Sequence, residues 1–419
     1  MWLRVYAHQF VFCGKGWLIM PIYLDEVPGN VDDISRPVTI RWVIFLVVIM
    51  LAGVVLTLWQ WTGERRGISF WFTALGLPFC LWGILAVFRH IGYRLELNGE
   101  AGWNHECDDL EETEISRGRR FAWVLDTWVQ SPAGRGTGSL SAAMASSTPL
   151  LKTAKPRAGG EPVRHARITD FDADPQALTK AVEKAALRIN KTLARLPEKL
   201  PCWLMFECDA DLSVEKEAGL LQLVTEKSGR ALRQIPGQGM NALDYWLDHR
   251  WDKPSALVVL TLTLRPSPQE NDAEAIAAMV LCNRKSHQYP DAVRLHRPQK
   301  SSPETLTHNM AHSLRWAELS PDEIKGIWIT GEAVTGRPGL NQSCEDNKLT
   351  LSLTDGIASI DATLGYTGQA SPWVAVALAT GRVSEQGTQL VAAQPDSGSD
   401  DIWLTLITVE KQEKDVIRE

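Results

Sequence analysis

ALVVLTLTL, Ala256 to Leu264, is short, almost continuously apolar and rich in β-branched residues, the composition of a strand covered on both faces. Upstream, CWLMFEC (Cys202–Cys208) reads as a second buried strand. Before it, Leu178, Val182, Ala185, Ile189, Leu193 and Leu196 recur at steps of three and four, predicting an amphipathic helix that Pro197 and Pro201 close. A helix from Val214 to Arg233 follows, interrupted by Gly219 and Gly229. Downstream, Glu274–Val280 reads as helix or strand, Ser302–Leu319 as a helix opened by Ser302 and Pro303, and IKGIWI (Ile324–Ile329) as a strand. A segment at Ile360–Gly365, a helix at Pro372–Thr380 and a strand at Ile402–Val409 complete the series. Strands and helices alternating at this spacing predict a layered α/β domain. No repeat of about 20 to 50 residues is visible.

The remaining composition narrows the function. With 50 acidic against 43 basic residues and a net charge of -7, the chain lacks the cationic surplus a general nucleic-acid binder needs. Seven cysteines, none in a CxxC spacing, do not form a disulfide framework, so a reducing compartment is expected. Seven of the 17 tryptophans fall before residue 90, where they suggest a membrane interface.

Two stretches there carry no charge: WVIFLVVIMLAGVVLTLW (Trp42–Trp59) and ISFWFTALGLPFCLWGILAVF (Ile68–Phe88). Each matches the roughly 20 residues that cross a bilayer, predicting a transmembrane helical hairpin over 39–90. Arg4, Lys15, Arg36, Arg41, Arg89 and Arg94 outweigh Arg65 and Arg66 in the short loop, so both termini are expected in the cytoplasm. Residues 1–38 are read as an interfacial segment, with Met20 an alternative start. Residues 91–130 are a membrane-proximal segment with an acidic run, Asp108 to Glu114. Residues 131–167, rich in Ser, Gly, Ala, Pro and cations, are expected to be a flexible basic linker able to lie on anionic lipid. The α/β domain then spans 168–412, followed by a tail at 413–419.

Candidate chemistry is sparse. His308 and His312 share a helix face, but the Glu of a zinc-hydrolase motif is missing between them. Cys202 and Cys208 lie about 20 Å apart along one strand and cannot share an ion. Gly237-Gln238-Gly239 opens like a dinucleotide fingerprint yet follows no strand. No GxSxG elbow and no phosphate loop occur. Neither metal nor cofactor is expected.

The segment from SPDEIKGIWITG (Ser320–Gly331) to LTLSLTDGIASIDATLGYTGQASPWVAVALATG (Leu349–Gly381) resembles the C-terminal half of the thiolase and β-ketoacyl synthase superfamily. The resemblance implies a thiolase-like fold with a catalytic His in a glycine turn. Here that turn is Gly365, Tyr366, Thr367 and Gly368, with Tyr366 at the His position, and a phenol of pKa about 10 is a poor replacement. The resemblance also implies a Cys on a tight turn leading into a buried helix. Cys282 in MVLCNRK looks like packing, and Cys344 lies in a polar loop. Hence no catalytic residue is assigned, and the chain is expected not to be an enzyme.

Anchor, linker and domain together are similar to a family of membrane-anchored bacterial proteins of type VI secretion, adaptors that help a phospholipase-type toxin reach the secretion spike. That implies a non-catalytic adaptor at the inner membrane, its soluble domain cytoplasmic, with a protein partner (a lipase-type effector or spike component), lipid contact through the hairpin and no nucleic acid. Tyr245, Trp246, Arg250 and Trp251 are the partner-binding candidates, because Trp, Tyr and Arg are enriched at interface hot spots. The alternative is a cysteine-dependent acyl-thioester condensing or hydrolysing enzyme acting near the membrane.

Overall fold

The structure, a computed structural model, describes residues 28–31, 39–62, 67–146, 148–174, 176–210, 212–335, 339–351 and 356–410. Apart from 28–31, the interfacial segment expected at 1–38 lies outside the described residues, as does the tail at 413–419. The described chain forms two units, one within 23–114 and one from Ile115 onward.

In the first unit, helix α1 (Thr39–Gln60) and helix α2 (Ile68–Gly118, which continues into the second unit) are long and apolar enough to cross a membrane, and most of their apolar side chains are exposed. α2 widens into a π-helical turn, Phe72–Gly76, just before Pro78. Proline has no N–H to give the Ala74 carbonyl, and the wider turn absorbs its ring. Gly53 of α1 faces this irregularity: a Cβ there would collide with the Pro78 ring and lie 2.9 Å from the Ala74 carbonyl oxygen. The Trp82 indole N–H donates to the Trp42 carbonyl at 3.1 Å, joining the two helices near the start of α1.

The second unit is a layered α/β fold built from two copies of one strand plan. The first copy runs β1 (Phe121–Ser131), the short β2 (Gly134–Arg135), α3 (Thr137–Ser146), β3 (Lys152–Ala154), β4 (Val163–His165), α4 (Ala177–Leu193), β5 (Cys202–Asp209), α5 (Val214–Lys227), β6 (Leu232–Gln234), α6 (Gly239–His249), β7 (Ala256–Thr263) and β8 (Ala275–Cys282). The second runs β9 (Val293–His296), β10 (Gln299–Ser301), α7 (Leu306–Ala317), β11 (Ile324–Thr330), α8 (Gly339–Asp346), β12 (Ile357–Ser359), α9 (Ser371–Gln386), β13 (Thr388–Ala393) and β14 (Ile402–Thr408).

In the first copy the spatial order is β6-β5-β7-β8-β1, in the second β12-β11-β13-β14-β9. In each, the first three are parallel and the last two antiparallel to their neighbours, and β1 pairs with β9 to join the copies. The duplicated unit is far longer than the repeat periods sought in the sequence, which is why it escaped notice there.

Three apolar clusters define five layers. α4 and α5 cover the outer face of the first sheet half, α7 and α8 that of the second, and α6 and α9 lie between the inner faces. β7 and β8 are buried at every position, as their composition requires. The expected strands at 202–208, 256–264, 324–329 and 402–409 and the helices over 178–196 and 302–319 correspond to β5, β7, β11, β14, α4 and α7.

Two expected boundaries differ. β1, placed by sequence in a membrane-proximal segment, is the central strand that joins the copies. The expected flexible linker at 131–167 instead carries α3, whose Leu140 is fully buried, and the β3–β4 ribbon. Its cations meet internal carboxylates: Arg135 contacts Asp170 at 2.7 Å, Arg167 contacts Asp172 at 3.2 Å, and Arg157 grips both Asp172 and the buried Glu274. Counting charge within the segment missed partners that lie beyond it.

Where α2 ends, Gly118 abuts the buried Trp316: a Cβ would stand 2.6–2.8 Å from the indole. Gly→Ala at an ordinary helix position stabilises by about 1 kcal/mol. Gly118→Ala is expected to reverse the sign and destabilise by about 1–3 kcal/mol through overpacking. Chemical denaturation of the two proteins reads the difference.

Candidate functional site

Along β5 the odd positions Trp203, Met205, Glu207 and Asp209 face the middle layer, because side chains alternate along a strand. β7 puts Thr261 opposite Glu207 and Thr263 opposite Asp209. Two apolar strands thus end in a polar patch on their shared inner face, at the carboxyl ends of parallel strands where α/β folds bind ligands.

Glu207 is buried, 5% exposed, and among the described residues its Oε2 has no hydrogen-bond partner. The Thr261 and Thr263 hydroxyls, also buried, have none either. Leaving such groups unpaired costs about 1–3 kcal/mol each, so their coincidence in one place makes this patch the candidate site. Burial pushes the Glu207 carboxyl up to about 7; the amide of Gly239 opposes that rise and the charge of Asp209 adds to it.

That amide opens α6. The turn before it uses positive φ at Gly237 (90°) and Gly239 (53°), and Gly237 packs against the backbone of Ala242. Gly237-Gln238-Gly239 is therefore a tight turn into a buried helix, and it contains no cysteine. The amides at this helix start give the patch a positive end suited to an oxyanion.

On the far side Asp209 accepts both Nη groups of Arg265 at 2.7 and 2.5 Å. Gly368 lies against this pair: a Cβ would stand 2.6 Å from the Asp209 carboxylate and collide with the guanidinium. A groove of about 280 Å³ opens here, lined by Cys208, Asp209, Ala210, Leu264, Arg265 and Gln369.

Gly365 (φ 94°) also has to be glycine, since a Cβ would lie 2.7 Å from the Asn271 carbonyl oxygen. Tyr366 between them donates its hydroxyl to the Gln394 carbonyl at 3.1 Å, and burial, with Asp361 and other carboxylates nearby, raises its pKa well above the usual phenol range. It is a structural donor in this arrangement and no acid or base near neutrality. The equivalent strand ends of the second copy are satisfied: Asp361 accepts from Thr330 Oγ1 and the Gly331 amide, both at 2.6 Å, and Gln394 accepts from the Ala333 amide at 2.9 Å. The copies share strands but not chemistry.

The other sequence candidates lie elsewhere. Cys282 ends β8 opposite Ala256, about 20 Å along the strands from Thr263, and burial raises its thiol. Cys344 is buried on α8 and pushed up to about 11. His308 and His312 do share a face, ring centroids 4.2 Å apart. Among the described residues no group of three or more His, Cys, Asp or Glu could hold a metal.

The partner-binding set is corrected in part. Trp246 is wholly buried in the middle layer, and Tyr245 and Trp251 pack against that core. Tyr245, Arg250 and Trp251 remain half-exposed, and the Arg250 guanidinium lies over the Trp203 indole. Glu207, Thr261 and Thr263 were missed by sequence. The available signal was polar residues two apart inside strands otherwise apolar on both faces.

No family model matches the chain, and no curated protein does. Among solved structures, two of the ketosynthase from module 6 of the bacillaene synthase of Bacillus subtilis 168 match with TM-scores of 0.51 and 0.50. They are 11% and 9% identical, over 70% of this chain and 71% and 72% of theirs. The ishigamide ketosynthase/chain length factor is similar at a TM-score of 0.49, with 12% identity over 69% of this chain and 99% of its own. The likeness shows a layered α/β, ketosynthase-like fold.

It also corrects the expectation that the chain is not an enzyme: that architecture is one of condensing enzymes, and the lack of a recognisable Cys/His pair was too narrow a ground for excluding catalysis. The type VI secretion adaptor family finds no support in these comparisons.

Proposed function

We propose that this chain is an acyl-thioester enzyme held at a membrane by α1 and α2, with Glu207 rather than a cysteine handling the proton. One observation carries the reading: a buried carboxyl near pKa 7 sits beside two unpartnered threonine hydroxyls and the first amide of a buried helix. A base is most effective when its pKa is close to the working pH. Ionised Glu207 takes a proton from a water molecule whose oxygen adds to the thioester carbonyl. The negative charge that develops on the carbonyl oxygen meets the amides at the start of α6. The carbon–sulfur bond then breaks and the thiolate receives the proton from Glu207, leaving a carboxylic acid and a thiol. Thr261 and Thr263 orient the water or the carbonyl. The apolar hairpin supports access to substrates with long acyl chains.

The test is thiol release from a panel of acyl-coenzyme A esters by the full-length protein in detergent. Release is expected to rise with pH through about 7 to a plateau, because the base must be ionised, and to fall by about 10²–10⁴ in Glu207→Gln. Absence of release from every ester, or release that survives Glu207→Gln but is lost in Cys282→Ser, would sink the proposal.

A further inference from the structure

Several buried or half-buried arginines in the second unit meet carboxylates: Arg297 with Asp244 and Asp248, Arg265 with Asp209, Arg157 with Glu274. At one edge of the first sheet half, an exposed and a half-buried arginine are arranged differently. β6 places Arg233 opposite Trp203 of β5, and Arg250 caps the end of α6 beside them. The Arg250 guanidinium carbon lies 4.2 Å from the indole centroid and that of Arg233 6.0 Å. Among the described residues neither arginine has an ion pair with a carboxylate, whereas Arg250 Nε and the Trp203 indole nitrogen are buried with no hydrogen-bond partner. Arg284 adds a third cation over the neighbouring Trp251 at 5.0 Å, bonded among the described residues to the carbonyls of Asn283 and Trp251.

Two positive groups held together against one ring repel each other, and the ring quadrupole offsets only about 0.5–2 kcal/mol per cation. An anion that takes hydrogen bonds from both would balance them. Guanidinium forks match phosphate oxygens in pairs, and a charge-assisted bond of this kind is roughly twice as strong as a neutral one. The indole's closely stacked face is already covered by Arg250, so the ring backs the cations and leaves little room for a stacked base. We propose that Trp203, Arg233 and Arg250 form a binding site for the phosphate group of a ligand, either a phospholipid headgroup or a nucleotide.

Calorimetric titration of the full-length protein in non-ionic detergent with inorganic pyrophosphate at low salt tests this. One saturable site is expected, weakened at least tenfold in Arg233→Gln and in Arg250→Gln, and less in Arg250→Lys, which keeps the charge but loses the fork. Arg233 is exposed on an edge strand, so its variant reads binding without disturbing the fold. Displacement of pyrophosphate by glycerol 3-phosphate would assign a headgroup, and displacement by ADP alone a nucleotide; either supports the site. Absence of saturable binding, an affinity unchanged in the double glutamine variant, or failure of both competitors to displace pyrophosphate would overturn it.

Discussion

Replacing Arg297 by methionine is expected to destabilise the second unit by about 3–5 kcal/mol at pH 7, the usual consequence of removing one partner from a buried ionic group. Arg297 is completely buried. Its Nε lies 2.6 Å from Asp244, itself 1% exposed, and its two Nη groups donate to the Asp248 carboxylate at 2.7 and 2.8 Å. Nη1 also donates to the carbonyl of Arg117 at 3.1 Å, tying the close of α2 to α6. Asp248 keeps Arg117 at 2.7 Å and Arg120 at 3.2 Å in the variant, so the stranded group would be Asp244.

Burial already pushes the Asp244 carboxyl up to about 6 against the attraction of Arg297. Without that attraction it rises further, so the deficit should shrink as pH falls towards 6 and level off below it, where Asp244 is protonated in both proteins. Adding Asp244→Leu should recover most of the loss, since an apolar replacement of both partners is often neutral. Denaturant unfolding of the single and double variants at pH 5 and 7.5 makes the comparison. A deficit under about 1 kcal/mol at pH 7.5 would mean that the pair is solvated.

Glu207 carries the second large effect, with the opposite sign. Its folded pKa, about 7, stands above the ordinary 4.5, so the folded chain holds this proton more tightly than the unfolded chain does. The corresponding stability is complete below about pH 4.5 and is lost progressively until pH passes 7. Over that window the loss is about 3 kcal/mol, at 1.36 kcal/mol per unit. Glu207→Gln cannot ionise. It should therefore match the parent near pH 4.5 and exceed it by about 2–3 kcal/mol at pH 8, even though it removes the proposed base. Stability that rises when a site residue is neutralised is the mark of a group retained for chemistry at the expense of the fold. Unfolding curves of the two proteins that remain parallel from pH 4.5 to 8 would show that Glu207 is not held in an apolar setting.

The architecture was legible where one physical signal dominated. β7 has no polar face to hide, and α4 repeats its apolar residues at helical steps, so both could be read directly. β1 was not readable, because Asp126 interrupts FAWVLDTWVQS. The structure places Asp126 beside a bulge and gives it Arg188 at 2.7 Å and the Thr192 hydroxyl at 3.1 Å, partners more than sixty residues away. α6 was obscured by the glycines that start it. At the site, Gly365, Tyr366 and Gly368 were picked out by resemblance, and the glycines prove to be required by close approach. Glu207 was hidden inside an apolar heptapeptide, since only the pairing of β5 with β7 brings it to Thr261 and Thr263.

The layer formed by α6 and α9 belongs to both copies of the strand plan: Leu243 and Trp246 from one helix and Trp373 and Val376 from the other pack in a single cluster with both inner sheet faces. The two sheet halves consequently cannot swing apart like the jaws of a clam without tearing that shared filling. The groove bordered by Asp209, Arg265 and Gln369 opens at the rim of this filling, two residues along β5 from Glu207.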